Sequence, residues 1–230
     1  MEKTTINRRV KVIIASLAIL CFQVLYSQLM IVLFQKTEEV IPGLSYDCYL
    51  MIHHSYMFLL AFLLTLSISK FLRIDFGYHI KEWKKGIKWC GIAVATMIVL
   101  RVIINIIFES WGVRFQADTF IFQLFFSGLG EEILYRSLPL AILPFLWRDE
   151  MVIKIGTKHK VYIDVLISAL FFSLAHISWR FGGSDINWST WQLASAFLQG
   201  ICIGMVYKKT NSVWMCMILH GIVNIISVTF

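Results

Sequence analysis

The segment GLGEEILYR (residues 128–136) places three ionisable side chains inside an apolar stretch that extends from residue 120 to residue 147. Insertion scales put one charge near the bilayer centre at roughly 2.5–3.5 kcal/mol, so three unpaired charges would cost about 8–10 kcal/mol. Glu132 and Arg136 are four residues apart on one helical face, with the acid nearer the N-terminus, which favours an ion pair. Glu131 lies about 100° round the helix and has no partner in its own segment. The sequence therefore predicts that Glu131 either has a partner elsewhere or serves a function.

Three more polar side chains lie in apolar segments further along the chain. His176 is near the end of one segment, and His220 and Asn224 are four residues apart on one face of the last segment. In a bilayer such side chains are expected to face the bundle interior or a water-filled cavity. We therefore expect them to converge with Glu131 and to hold and polarise a water molecule. Each residue by itself is also compatible with interhelical hydrogen bonding, which leaves a purely structural interpretation open.

The amino-acid composition is that of a membrane protein rather than a soluble one. Of the 230 residues, 58% are hydrophobic and only 15% are charged, and the mean hydropathy is +0.73. A soluble domain is nearer half apolar and a quarter charged. At about 20 residues a span, the chain has room for about seven spans and no sizeable soluble domain. The predicted fold is an all-α, polytopic transmembrane helix bundle with about seven spans.

Seven apolar runs mark the expected spans, and the loops between them are short. The runs cover roughly residues 11–34, 50–71, 87–108, 119–147, 161–179, 190–207 and 212–229. Lys and Arg are concentrated in every second loop, beginning with the N-terminal segment. The positive-inside rule then predicts a cytoplasmic N-terminus and a C-terminus outside. We expect an integral membrane protein of a bacterial plasma membrane.

The formal net charge of +7 does not indicate a nucleic-acid partner, because the basic residues cluster in loops beside the apolar runs. The largest basic cluster is the predicted cytoplasmic loop at residues 70–88, which contains two tryptophans among its lysines. This loop is either an interfacial amphipathic helix or a solvated connector.

Several other polar residues receive structural interpretations. His53 and His54, near the outer edge of the second span, are predicted to be interfacial residues. Arg101 of the third span is a second partner for the adjacent glutamates, or it extends its side chain to the membrane surface, or it orients its own helix. Pro139 cannot donate a hydrogen bond to the carbonyl of Tyr135 and is expected to kink the helix there.

Three short motifs follow one another, each on its own expected helix. They are EExxxR (Glu131, Glu132, Arg136), FxxxH (residues 172–176, ending in His176) and HxxxN (His220, Asn224). With these motifs the chain resembles the CPBP family of CAAX-processing and bacteriocin-processing proteins, also called Abi, whose members include the Ras-converting enzyme. Residues 118–230, with four spans, are accordingly the expected catalytic core. Residues 1–110, with three spans, match the family only in being hydrophobic and helical.

The resemblance implies an intramembrane endopeptidase that hydrolyses peptide bonds of small membrane-associated peptides or protein tails. In such a protein Glu131 activates water with the help of His176. His220 and Asn224 polarise the scissile carbonyl and stabilise its oxyanion. The implied partners are the membrane-associated substrate and the lipid bilayer.

The same resemblance leaves the cofactor open. The resemblance implies that Glu132 and Arg136 hold the geometry of the site. Glu131, His176 and His220 are a ligand set of plausible type for zinc, with an open fourth position, and the family is often labelled a metalloprotease. No HExxH motif is present. Zinc is therefore a candidate cofactor, and a metal-free glutamate mechanism is the alternative.

Two functions from other classes compete with proteolysis. A non-proteolytic membrane protein would keep the polar cluster for packing and act by binding, for instance in bacteriocin immunity or regulation. A small proton-coupled transporter would be expected to show broken helices in paired, repeated positions, and the sequence has no such internal duplication.

Overall fold

The computed structural model describes residues 2–108, 116–147, 151–155, 159–178 and 186–229. Seven helical rods dominate this part of the chain: α1 (Glu2–Val40), α2 (Tyr46–Leu72), α3 (Trp83–Phe108), α4 (residues 117–147), α5 (Ile163–Leu174), α6 (Thr190–Thr210) and α7 (Val213–Thr229). Helices α1 to α3 each contain a stretch long and apolar enough to cross a membrane, and α5 and α7 are shorter apolar helices. The predicted all-α membrane bundle is confirmed.

Two elements differ from the boundaries predicted from the apolar runs. Helix α5 ends at Leu174, so His176 lies in a turn after the helix rather than inside a span. The loop between α4 and α5 contains an antiparallel hairpin of β1 (Val152–Ile155) and β2 (His159–Tyr162). Hydropathy does not reveal such a hairpin, because its strands are only four residues long and carry lysines among β-branched residues.

Helix α4, which carries both adjacent glutamates, is a continuous rod with two π-helical segments. The order is α (Ala117–Ile121), π (Phe122–Phe126), α (Ser127–Glu132), π (Ile133–Ser137) and α (Leu138–Trp147). At the second π segment the N–H of Leu138 bonds the carbonyl of Ile133, five residues back, just before the expected irregularity at Pro139. Single π turns within α-helices are frequent at functional sites. Here they enclose the short α segment that ends in Glu131 and Glu132.

Side chains from two other helices bond the backbone carbonyls of the second π segment. The amide Nε2 of Gln23 on α1 donates to the carbonyl of Leu134 at 2.7 Å. The hydroxyl of Ser168 on α5 donates to the carbonyl of Tyr135. Pro139 cannot donate to this carbonyl, because proline has no backbone N–H. In a bilayer core no water replaces these bonds, so each buried carbonyl needs a protein donor. These two hydrogen bonds therefore hold α1 and α5 against the irregular backbone of α4.

Two glycines of α4 allow neighbouring helices to approach closely. A Cβ atom on Gly128 would lie 2.9 Å from Cβ of His220, and one on Gly130 would lie 2.4 Å from Cγ of Met57. Neither distance is sterically possible, so α7 and α2 can occupy their positions only beside glycine. Small residues at helix contacts are a general device of membrane bundles.

The connector between α2 and α3 is packed against the bundle. Residues 73–82 are irregular rather than an interfacial helix, and α3 begins at Trp83. Phe76 is buried, its carbonyl accepts a hydrogen bond from Ser137 at 2.5 Å, and the carbonyl of Gly77 accepts one from the N–H of Val213 at 3.0 Å. Because these bonds join the connector to α4 and α7, it is not simply a solvated loop either.

Replacing Ser168 by alanine should destabilise the bundle. The carbonyl of Tyr135 would be left buried without a donor, which costs about 1–3 kcal/mol in the free energy of unfolding. Ser67→Ala is the matched control, because the hydroxyl of Ser67 bonds a carbonyl within its own helix on an exposed face. Denaturant unfolding of both variants in detergent measures the difference, and equal stability of the two would contradict this account of the π segment.

Candidate active site

The carboxylate of Glu132 is the centre of a buried charge cluster between α4 and α7. Its Oε1 lies 2.6 Å from Nδ1 of His220, and its Oε2 lies 3.4 Å from Nε of Arg136. The side chains of Glu132 and Arg136 have no exposed surface, and that of His220 is almost fully buried. Because an ionised carboxylate only accepts hydrogen bonds, Nδ1 of His220 is the donor in this contact. The spacing of Glu132 and Arg136 had indicated their contact, and His220 is an additional partner.

The ring of Phe172 joins this cluster to α5. Cζ of Arg136 lies 4.0 Å from the centroid of the ring, which is a cation–π contact. The rings of His176 and His220 meet the same ring edge-on, with centroid distances of 4.8 and 5.8 Å. Among the described residues, no nitrogen of Arg136 has a hydrogen-bond partner. Its charge is therefore balanced by the nearby carboxylate of Glu132 and by the face of the Phe172 ring.

Glu131 occupies a different environment from its neighbour. Its side chain is 23% exposed, and its Oε2 lies 3.7 Å from Nε2 of His220. His220 thus stands between the two glutamates, with one ring nitrogen towards each.

A cavity of about 480 Å³ lies beside Glu131. Its walls come from α1, α2, α4 and the end of α5, including the residues that follow it up to Ser178. Glu131 and His176 both line this cavity, whereas His220 and Asn224 are not among its lining residues. The first two helices, which the motifs do not cover, therefore form a large part of the wall next to the acid.

His176 is positioned by the turn that ends α5. Its Nδ1 lies 2.9 Å from the carbonyl of Phe172. A carbonyl only accepts, so Nδ1 carries the proton, and Nε2 of the neutral ring is left as an acceptor. The structure thus brings His176 to the same cavity as Glu131.

Asn224 belongs to a network beside the cluster. Its Nδ2 donates to Oε1 of Gln123 at 2.8 Å and to the hydroxyl of Ser127 at 3.0 Å. Its Oδ1 accepts a hydrogen bond from Nε2 of Gln199 at 3.2 Å. Both amide hydrogens are engaged, and the network connects α4, α6 and α7. Gln123, Ser127 and Gln199 had not been singled out in the sequence, because isolated polar residues in a helix carry no sign of their partners.

The structure adds to the interpretation of three polar residues in the N-terminal helices. His53 and His54 line the cavity, and His54 is only 8% exposed. Arg101 donates to the backbone carbonyl of Ser227 at 3.2 Å and is not a partner of the adjacent glutamates. The sequence marks these residues as two adjacent histidines in an otherwise apolar span. It does not show which face of α2 is buried.

Two of the three candidate zinc ligands are neighbours: Nε2 of His220 lies 3.7 Å from Oε2 of Glu131. Zinc requires nitrogen and oxygen ligands at about 2.0–2.2 Å from one point. Within the described ranges, no group of three or more His, Cys, Asp or Glu side chains is placed to hold a metal ion. Zinc binding by Glu131, His176 and His220 stays a prediction of the sequence.

Comparison with known proteins gives one match. A family model described as type II CAAX prenyl endopeptidase Rce1-like matches residues 91–226. This range covers more than half of the chain and contains all residues of the EExxxR, FxxxH and HxxxN motifs. No curated protein and no solved structure matches the chain. The family resemblance read from the motifs is confirmed.

Replacing Arg136 by methionine should strongly destabilise the protein, because Glu132 would lose its buried counter-charge. Breaking a buried ion pair in this way costs about 3–5 kcal/mol in the free energy of unfolding. The double variant Arg136→Met/Glu132→Gln should recover much of that loss. Arg101→Met is the matched control, since Arg101 bonds a backbone carbonyl and not an acid. A loss in the control as large as in Arg136→Met, measured by unfolding in detergent, would show that the ion pair is not responsible.

Proposed function

Because the chain belongs to the Rce1-like family of type II CAAX prenyl endopeptidases, we propose that it hydrolyses peptide bonds of membrane-associated peptides or protein tails. In this proposal Glu131 activates the attacking water molecule. The family supports intramembrane endopeptidase activity in general. The observation that carries the residue assignment is the position of Glu131. It is a carboxylate in the wall of a cavity, 3.7 Å from an imidazole nitrogen of His220, beside a second carboxylate that is already paired.

In the proposed reaction Glu131 is the general base. Its carboxylate takes a proton from a water molecule in the cavity, and the water oxygen attacks the carbonyl carbon of the scissile peptide bond. Nε2 of His176 accepts a hydrogen bond from the same water and orients it. The proton then passes to the nitrogen of the leaving amine, the C–N bond breaks, and the products are a carboxylate and an amine.

His220 provides a hydrogen-bond donor for the reaction. Its Nε2 lies 3.7 Å from the carboxylate of Glu131, and an N–H there stabilises the oxyanion that develops on the attacked carbonyl. Glu132, which is paired with Arg136, fixes the orientation of the ring by engaging its other nitrogen. Asn224 could reach the oxyanion only by giving up one of its present hydrogen bonds, so we assign it a positioning role between α4 and α7. All these steps use protein groups and water alone.

The position of the cavity supports a proposal for the side of the membrane from which the substrate reaches Glu131. Tyr46 at the start of α2 and Ser178 after α5 both line it, and both lie at the ends of their helices away from the basic loops. With the N-terminus cytoplasmic and the C-terminus outside, this is the non-cytoplasmic side of a bacterial plasma membrane. A membrane-associated peptide or tail, of which the prenylated CAAX tail in the family description is one form, would reach Glu131 from there.

Replacing Glu131 by glutamine should slow cleavage strongly without loss of folding. A quenched-fluorescent peptide with a prenylated CAAX terminus, presented to the purified protein in liposomes, gives the readout. Removal of a general base lowers the rate by about 10²- to 10⁴-fold. Glu82→Gln is the matched control, because Glu82 is an exposed acid paired with Lys85 at 2.6 Å outside the cavity.

The two glutamate variants should have similar thermal unfolding midpoints, so that the loss of turnover reports chemistry and not stability. Cleavage by Glu131→Gln at the rate of the wild-type protein would contradict the assignment of the base. A cellular phenotype that Glu131→Gln leaves intact would instead favour the non-proteolytic alternative, in which the protein acts in immunity or regulation by binding.

A further inference from the structure

A group of lysines lies outside the cavity, at the end of the bundle where α3 begins and α6 ends. Nζ of Lys209, in the last turn of α6, lies 5.2 Å from the ring centroid of Trp89 on α3 and 5.7 Å from that of Tyr162 on β2. Nζ of the neighbouring Lys208 lies 5.8 Å from the centroid of the same tyrosine ring. The two aromatic rings therefore bring the end of α6 together with α3 and the hairpin.

The hairpin adds two more lysines on the face that carries Tyr162. Lys154 of β1 is paired directly with Lys160 of β2, and Tyr162 follows Lys160 by two residues. Side chains two residues apart on a strand share a face, so all three lie on one side of the hairpin. Like charges directly opposite each other in an antiparallel pair are destabilising. The hairpin thus places an unfavourable pair of positive charges beside the two lysines of α6.

Only one of these four lysines has an acidic partner in the part of the chain that the structure describes. Nζ of Lys208 pairs with Oδ2 of Asp164, a buried carboxylate at the start of α5. Asp75 and Glu82 are the other described acids at this end, and each already contacts a basic side chain of its own segment. Three lysines without a counter-charge remain, and they form the basic cluster: Lys154, Lys160 and Lys209. The two hairpin lysines are exposed, and the third is half-buried.

We infer that the basic cluster binds the phosphate of an anionic phospholipid, with Trp89 and Tyr162 at the level of the lipid headgroups. Lysine ammonium groups attract phosphate as compact point charges, and basic clusters at the ends of membrane helices favour anionic lipids. Trp and Tyr are enriched at the boundary between membrane and water. A bound phosphate would neutralise Lys209 and reduce the repulsion between the two lysines of the hairpin.

The surface next to the cluster favours a lipid over a free phosphate ion. Trp89 lies in the first part of α3, a helix long and apolar enough to cross a membrane. Ile92 is three residues further along α3, which places it on the same side of the helix as Trp89, and it is 45% exposed. A lipid whose phosphate contacts Lys209 would therefore have an apolar helix face along which to lay an acyl chain.

The test uses the full-length purified protein in an uncharged detergent and does not depend on hydrolysis. The protein is titrated with phosphatidylglycerol and, in separate arms, with phosphatidylcholine or glycerol phosphate. A ligand that binds only the folded protein raises its thermal unfolding midpoint, and native mass spectrometry counts the lipids that stay bound. Only phosphatidylglycerol should raise the midpoint of the wild-type protein. Lys209→Gln should need about 5-fold more of it for the same rise, because one lysine beside anionic lipid contributes about that factor.

Further variants separate the site from a general effect of charge. Lys209→Arg keeps the charge and should behave as the wild-type protein. Lys154→Gln/Lys160→Gln leaves the ring contacts of Lys209 in place and should lose at least as much affinity as Lys209→Gln. Lys36→Gln is the matched control, because it removes an exposed lysine paired with Glu39 at the other end of the bundle.

Two results would overturn the proposal. One is equal stabilisation by phosphatidylglycerol of the wild-type protein, Lys209→Gln and the hairpin double variant. The other is stabilisation of the wild-type protein by phosphatidylcholine or by glycerol phosphate to the same extent as by phosphatidylglycerol, since the site would then select neither an anionic headgroup nor a lipid.

Discussion

The buried carboxylate of Glu132 is the constraint on which the rest of the site depends. It has no exposed surface, and in a low-dielectric interior it must be compensated by other side chains. Arg136 supplies the charge from the same helix, and His220 supplies a hydrogen bond from α7. Because Glu132 occupies Nδ1 of His220, the opposite nitrogen is the one turned towards Glu131. A contact that serves packing thus also orients the imidazole proposed to take part in the reaction.

The backbone of α4 imposes a second constraint on the architecture. Its two π segments interrupt the regular hydrogen bonding on both sides of the glutamates, and Pro139 lies two residues after the second of them. In a membrane every carbonyl released in this way must find a donor inside the protein. Gln23 and Ser168 provide donors for two of them, so the irregularity that positions the acids also selects the neighbours of α4. The cavity forms where these neighbours, together with α2, do not close against one another.

Much of the core of the site follows from local spacing. The four-residue interval between Glu132 and Arg136 indicates their pairing, and the position of Glu131 round the helix separates it from that pair. The interval between His220 and Asn224 indicates a shared face in the same way. By contrast, His54 could not be distinguished from His53 or from an interfacial residue. Its burial depends on the approach of α2 to α4, which Gly130 permits by leaving room for Met57.

The sequence by itself determined the membrane class, the all-α bundle, the family and the residues of the three motifs, because composition and helical periodicity are local properties of the chain. Only the tertiary structure decided that Glu131 faces a cavity while Glu132 is buried, that Asn224 is engaged with Gln123 and Ser127, and that α1 and α2 form a large part of the cavity wall. The physical reason is that helical periodicity relates side chains only within one rod. The packing of the whole bundle decides which faces of different helices meet. So does the need to give every buried charge and backbone group a partner.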